Sequence, residues 1–475
     1  MKILFYLTLF SLLLMVNLSC SSSTPSLSPQ AESIQSQLNY QFEDQDEWLG
    51  MYIAGNKVGY AVFALDTLNN GILQERELMV MKLTAGSKGL EITTRGVSYG
   101  NQQGYVDSFF YEIKSETQTL HLKGIYQTDS LQLTMISDNH VEQKIFAAPP
   151  LPLTMIDAIR FFGDQQQITL EIFEPSTQEV VEIVIQDLGV DTSYQYGVLR
   201  HYQATMLGVP IDIWFDQNNR LIKQEMQAMQ MVLKSEPREL AEDLSLTELS
   251  PDIYKQFKVD TDRPLENPRN LVELTVIINH LDIDIACFNQ KQKGDTVFVT
   301  SADLEWINSE LPDSVLKYVE PSPLIQSQHP DIVNAAENII GSERNLKKQV
   351  ELLNHWVYQN LQKEPTFTVP SALDILNSRQ GDCNEHSTLL CALLRAIGIP
   401  ARIAVGIVHA NNDGFYYHAW CEVYLGKWFS IDPTMDQIPS DASHIAISRG
   451  NTVEQAKIMT VMGKIDIIIL NTKYK

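Results

Sequence analysis

Basic residues are scarce in this 475-residue chain: 35 Lys and Arg stand against 59 Asp and Glu, a formal charge of −24 and a pI of about 4.8. Nucleic acid is held by basic patches that displace counterions from phosphate, so the balance argues against such a partner. It argues equally against broad contact with anionic lipid. Solubility accounts for the acidity without any acidic function. Cysteine is also sparse, with Cys20, Cys287, Cys383, Cys391 and Cys421. Five thiols at such spacing are no disulfide framework, although one bridge among Cys287, Cys391 and Cys421 stays open. There is no glycine-rich phosphate loop, nucleotide fingerprint or long repeat. Beyond the N-terminus no apolar run is long enough to span a bilayer.

The N-terminus carries one cation and a short apolar stretch, Ile3 to Val16. That is signal-peptide geometry. Leu18-Ser19-Cys20 resembles the end of a bacterial lipobox, with Asn17 departing from the usual aliphatic residue. The expectation is a signal segment over residues 1–20, lipid on Cys20 and a flexible Ser/Pro-rich tether over 21–45. The domains would then sit outside the cytoplasm, in a bacterial cell envelope, anchored to the membrane.

Residues 46–245 read as a β-rich domain. Runs such as Val180 to Ile185 alternate with turn signals such as Asn69-Asn70-Gly71. Pro152 to Phe162 is a helical interruption. The expectation is an antiparallel, curved sheet, a half-barrel in outline, that binds lipid or peptide or serves as a scaffold. Residues 246–325 read as a small connecting β subdomain. From 326 to 475, helical patterns over Pro330–Ile340 and Glu343–Leu361 and a short helix over Ser371–Ser378 come first, with strands after Pro400. The fold class is α+β.

The chemistry concentrates in Gly381-Asp382-Cys383-Asn384-Glu385-His386-Ser387, directly before the apolar run Thr388–Ile397 and its stop, Gly398-Ile399-Pro400. Asp382 is a fit N-cap and Gly398 a fit C′ residue. Cys383 is thereby placed at the electropositive end of a buried helix, where a thiolate is stabilised. Its N–H suits an oxyanion. His418 falls in an aromatic, β-branched run, Phe415 to Leu425, and a second short run covers Trp428 to Ile431. Gly426-Lys427 marks a hairpin between them. Across that hairpin Asp432 is expected to orient His418, completing a nucleophile, base and orienter set.

These blocks resemble the transglutaminase-like superfamily, with its papain-like core. The resemblance runs through Gly381 to Ser387, Leu394 to Arg402, His418-Ala419-Trp420 and Asp432-Pro433-Thr434. It covers roughly residues 326–450, and the wider chain looks like bacterial envelope proteins with such a C-terminal domain. It implies Cys383 as nucleophile, His418 as base and Asp432 as orienter, acting through a thioester on a protein or peptide, with no cofactor. Hydrolysis of a peptide or isopeptide is favoured over amine cross-linking, since nothing marks an amine channel. His444 also resembles the bacterial subgroup and is read as structural or as a neighbour of the site. His386 is read as packing on the helix face of Cys383, and Trp356 and Trp420 as core. A zinc site from Cys383, His386, His418 and Cys421 is the rival. On a strand, however, residues three apart diverge, so no metal is expected. Two other rivals are a vestigial peptide-binding domain and a lipid- or lipoprotein-binding N-terminal sheet. The oligomeric state is not encoded legibly.

Overall fold

The computed structural model describes residues 29–475 apart from 86–87, 116–118, 138–139, 148–150, 152–153, 164, 175–178, 194, 246–257, 304–310, 364–369, 411–412 and 451. The expected signal segment, Cys20 and the tether up to residue 28 lie outside the described residues. The chain forms two units, one ending at Ile253 and one running from Tyr254 to Lys475.

The first unit is a single antiparallel sheet of fourteen strands, from β1 (Glu47–Ile53) to β14 (Met231–Ser235). Strands β1 to β8 lie side by side in chain order. Strand β14 pairs with β1, and the order then runs back to β9 (Gln167–Glu174). The ends of the ladder are β8 (His140–Ala147) and β9, so the sheet is open. Burial alternates along it. In β3 (Leu73–Ala85), Leu73, Glu75, Glu77, Met79, Met81 and Leu83 are buried, every second residue, as one covered face of a pleat requires.

The expected helical interruption is a helix, Met155–Phe162, capped by the Thr154 side chain on the Asp157 N–H. Its Phe161 packs on a core of Phe109, Leu122, Leu131 and Leu133. Its Arg160 is held 2.5 Å from Glu47 and 3.1 Å from Asp157. The tether needs correction. Pro29–Gln37 is a helix whose Ala31 and Ile34, with Leu38 just beyond, pack on Val97 and Ile136 of the sheet. The i, i+3, i+7 spacing of those three apolar residues is a helical stripe hidden in a polar stretch. Tyr40 then donates from its hydroxyl to the Glu77 carbonyl at 2.8 Å, so residues 29–45 are docked rather than free.

The second unit joins helices to one nine-stranded sheet. Its members are β15 (Lys258–Thr261), β16 (Leu271–Asn279), β17 (Gln290–Lys293), β18 (Thr296–Thr300), β21 (Ala401–Ala410), β22 (Gly414–Tyr424), β23 (Trp428–Ile431), β24 (Ile445–Gly450) and β25 (Asp466–Tyr474). The order is β17-β18-β16-β25-β15-β22-β21-β24, with β23 on β22. Residues 258–300 therefore form no separate connecting subdomain: β16 pairs with β25, and β15 pairs with both β25 and β22. A two-residue pair, β19 (Gln362–Lys363) and β20 (Gln380–Gly381), lies between the helices. Helices fall at Pro330–Ile340, Leu346–Asn360, Ala372–Ser378 and Cys383–Ala396, close to the expected spans. The last is the core element. Cys383 through Arg395 are all buried, packed between β21 and β22 and the three preceding helices.

Candidate active site

The helix of Cys383, the candidate nucleophile, starts where its own caps put it. The Asp382 carboxylate accepts from the Asn384 N–H at 3.0 Å, and Glu385 accepts from the Asp382 N–H at 2.9 Å. This reciprocal capping box fixes Cys383 as the first helical residue. Sequence reasoning found Asp382 and passed over Glu385, although Asp-x-x-Glu carries the signal. Gly381 is required by space, since a Cβ there would lie 2.1 Å from the Glu385 Cβ. At the other end the Ile399 N–H bonds the Leu394 carbonyl at 3.0 Å, closing the helix around Gly398.

The candidate base, His418, lies on β22. That strand turns at Leu425-Gly426-Lys427 into β23, with Tyr424 opposite Trp428 and Cys421 opposite Ile431. Asp432 follows directly, and its Oδ2 lies 2.8 Å from His418 Nε2. The other carboxylate oxygen, Oδ1, accepts from the Thr434 N–H at 2.6 Å and the Met435 N–H at 3.1 Å. His418 and Cys383 act on each other electrostatically, the imidazolium favouring the thiolate and the thiolate the imidazolium. Cys383, His418 and Asp432 are 7%, 6% and 0% exposed, so their charges meet where water screens little.

The electrostatics follow. Burial alone would lower the His418 pKa, but the charges of Asp432 and Cys383 and hydrogen bonds to both raise it to about 10. Burial would raise Asp432, yet the charge and hydrogen bond of His418, with His444, hold it well below the carboxylate range. Burial and the Asp382 charge work against a Cys383 thiolate, while His418 favours it by charge and hydrogen bond.

Register is fixed by a buried ionic cluster that the sequence reading missed. Glu422 on β22 lies 2.6 Å from Arg402 on β21 and 2.9 Å from Arg449 on β24. Gly406 of β21 sits opposite His418, and a Cβ on it would meet the Ile445 carbonyl at 2.0 Å. That close approach brings β24, and His444 before it, up to the site.

His444 is the surprise in placement. Its Nε2 lies 3.0 Å from the same Asp432 Oδ2 that His418 contacts. Trp420 stacks along His418 at 6.1 Å between ring centroids and meets His444 edge-on at 5.2 Å. Trp420 is thus core, as expected, but it also walls the site. His386 is fully buried, and its Nδ1 donates to the Asp382 carbonyl at 2.7 Å. Burial holds the His386 pKa down, which suits a neutral packing residue.

Cys421 faces away from His418 toward Cys391, with the sulfurs 3.5 Å apart, and donates to the Ser387 carbonyl at 3.2 Å. The four-ligand zinc set is therefore not assembled. A different trio, His418, Asp432 and His444, does bring its ligand atoms within 4.8 Å of one another. Its nitrogens lie 2.8 and 3.0 Å from the shared carboxylate oxygen, hydrogen-bond lengths, whereas two ligands each about 2.0–2.1 Å from one tetrahedral zinc stand about 3.3 Å apart.

Residues 333–433 match the family model of the Transglutaminase-like superfamily. The match spans the helix of Cys383, the strand of His418, and Asp432. A Mycobacterium leprae protein, ML0607, is 28% identical over 130 residues, 25% of this chain and 47% of its own length. A protein-glutamine gamma-glutamyltransferase of Pseudomonas aeruginosa is 30% identical over 102 residues, 19% of this chain and 15% of its own. The chain thus spans less than half the length of these relatives. A solved structure named as a candidate cysteine protease, from Cytophaga hutchinsonii, aligns over 46% of this chain and 86% of its own, at 20% identity and a TM-score of 0.29. Residues 333–433 of the second unit form a transglutaminase-like domain.

Proposed function

We propose that this protein performs acyl chemistry at Cys383, with His418 as acid and base and Asp432 as the group that orients it. The observation that carries the reading is the buried Cys383 at a helix N-terminus, with its titration shifted by a His418 that lies 2.8 Å from Asp432. The Cys383 thiolate attacks an amide carbonyl, forming a C–S bond and an oxyanion. The helix's first-turn N–H groups favour that oxyanion. As the C–N bond breaks, His418 gives its proton to the leaving amine. Water then attacks the thioester, His418 takes its proton, and breaking the C–S bond frees the acid and restores the thiolate. Hydrolysis of a peptide or isopeptide is our preferred outcome over transfer to an amine.

An amide substrate panel with and without a primary amine tests that preference. We expect release of the free acid, with no more than a small fraction of amine adduct at millimolar amine. Quantitative amine adduct makes the protein a transferase. Acyl chemistry falls altogether if the purified protein holds stoichiometric zinc and unfolds on chelation.

Anchoring belongs to the same proposal. Among the described residues no helix is long and apolar enough to cross a membrane. Leu18-Ser19-Cys20 supports attachment by lipid on Cys20 instead. Cys20→Ala should leave the precursor unlipidated and move it out of the detergent phase. Unchanged partition, with no lipid mass on wild-type Cys20, contradicts the anchor.

A further inference from the structure

Two histidines share one carboxylate oxygen here, and only one of them reaches the nucleophile. His444 Nε2 lies 3.0 Å from Asp432 Oδ2. Its other nitrogen, Nδ1, lies 3.1 Å from the Asp441 carbonyl and 3.5 Å from Asp441 Oδ1. A carbonyl and an ionised carboxylate can only accept. Each ring nitrogen of His444 therefore faces acceptors, and a ring that satisfies both must carry two protons. Asp441 is in turn held 2.8 Å from Arg269, which stands ahead of β16, and accepts from the Ser443 N–H at 2.8 Å.

We propose that His444 is a permanent imidazolium and a positioning residue acting through Asp432, so that Cys383, His418, Asp432, His444, Asp441 and Arg269 form one line of alternating charge. This consequence for catalysis rests on the acyl-transfer reading of the site. The line is −, +, −, +, −, +, so five buried charges and the exposed Arg269 guanidinium sum to zero. Among the described residues the groups that contact His444 are Asp432 from beyond β23, His418 and the Trp420 ring from β22, and Asp441 from its own segment. His444 is fully buried, and burial alone would neutralise it, but Asp441 and Asp432 raise its pKa. Asp441 is itself lowered to about 2, against the pull of burial, by His444, Arg269 and Ser443.

The second imidazolium has a defined effect. Asp432 does not need His444 to hold its place, because Oδ1 is fastened to the Thr434 and Met435 N–H groups. What His444 removes is part of the carboxylate's pull on His418. With a full carboxylate to itself, His418 would keep its proton more tightly and yield it less readily to a leaving amine. His444 thus trims the acid. Its partners Asp441 and Arg269 lie outside residues 333–433, as does His444 itself.

Nitrogen NMR of the full chain reads the protonation directly. His444, assigned by loss of its signals in His444→Gln, should show both ring nitrogens protonated from pH 6 to pH 8. A bare nitrogen at neutral pH overturns the proposal. The pH profile of amide acylation reads the consequence. In His444→Gln the alkaline limb should move up by about one pH unit, with a lower plateau. A lower plateau with the limb unmoved means a structural role only and also overturns it. If His444→Gln does not fold, Asp441→Asn serves, since it leaves the Asp432 contacts alone: His444 should then lose its second proton at lower pH, and unchanged titration refutes the charge line. Double protonation of His444 in a protein that never acylates Cys383 upholds the charge line and removes the acyl-transfer reading.

Discussion

Asp432 meets three demands at once. One oxygen takes two imidazole donors, and the other takes two backbone N–H groups of the loop that follows. Removing it takes from His418 and His444 the carboxylate they share, and from the loop its anchor. We expect Asp432→Ala to lower stability by about 3–5 kcal/mol, as breaking a buried pair does. Denaturant unfolding measures it. The pH window follows from the signs. Asp432 is depressed, so its contribution is present above its unfolded pKa of about 4 and is lost as pH falls through the lower folded value. His418 is raised to about 10, so its contribution is whole below its unfolded pKa of about 6.5 and is lost as pH rises through about 10. The difference between wild type and variant should peak between about pH 4 and pH 6.5. A difference that stays flat from pH 2 to pH 11 contradicts the ion-pair account.

At the scale of elements, the nucleophile helix was the most legible part of the chain. Its start and stop are local: Asp382 caps, Glu385 closes the box, and Gly398 and Pro400 end it. The hairpin joining His418 to Asp432 was legible from Gly426-Lys427, but its register was not. Register depends on Glu422 reaching Arg402 and Arg449 on two other strands. His444 was visible only as a resemblance, because its role needs Arg269, far earlier in the chain, and the close approach at Gly406. The docked helix Pro29–Gln37 was hidden by its polar composition, with only three apolar residues to betray it. The capping box makes a testable trade. The Asp382 carboxylate stabilises the helix start and at the same time disfavours the Cys383 thiolate. Asp382→Ala should cost about 0.5–2 kcal/mol of stability. It should also move the pH midpoint of Cys383 alkylation downward. A midpoint that moves upward refutes the assigned effect of its charge.

At the scale of the molecule, one unit is a fourteen-stranded sheet and the other holds the buried Cys383, His418 and Asp432. Of the thiols placed by the structure, Cys287 accepts from Arg449, Cys391 and Cys421 face each other, and Cys383 alone stands at a helix start beside an imidazole. That contrast allows one measurement on the full-length protein to test the triad most directly. Iodoacetamide labelling is followed against pH by peptide mass, in wild type and in His418→Ala. The account predicts that Cys383 reacts first and remains reactive at mildly acidic pH. In His418→Ala its midpoint should rise, and acylation by an amide probe should fall by about 10²–10⁴-fold, with the fold intact by circular dichroism. Faster labelling of Cys391 or Cys421, or a Cys383 profile unchanged by loss of His418, would contradict it.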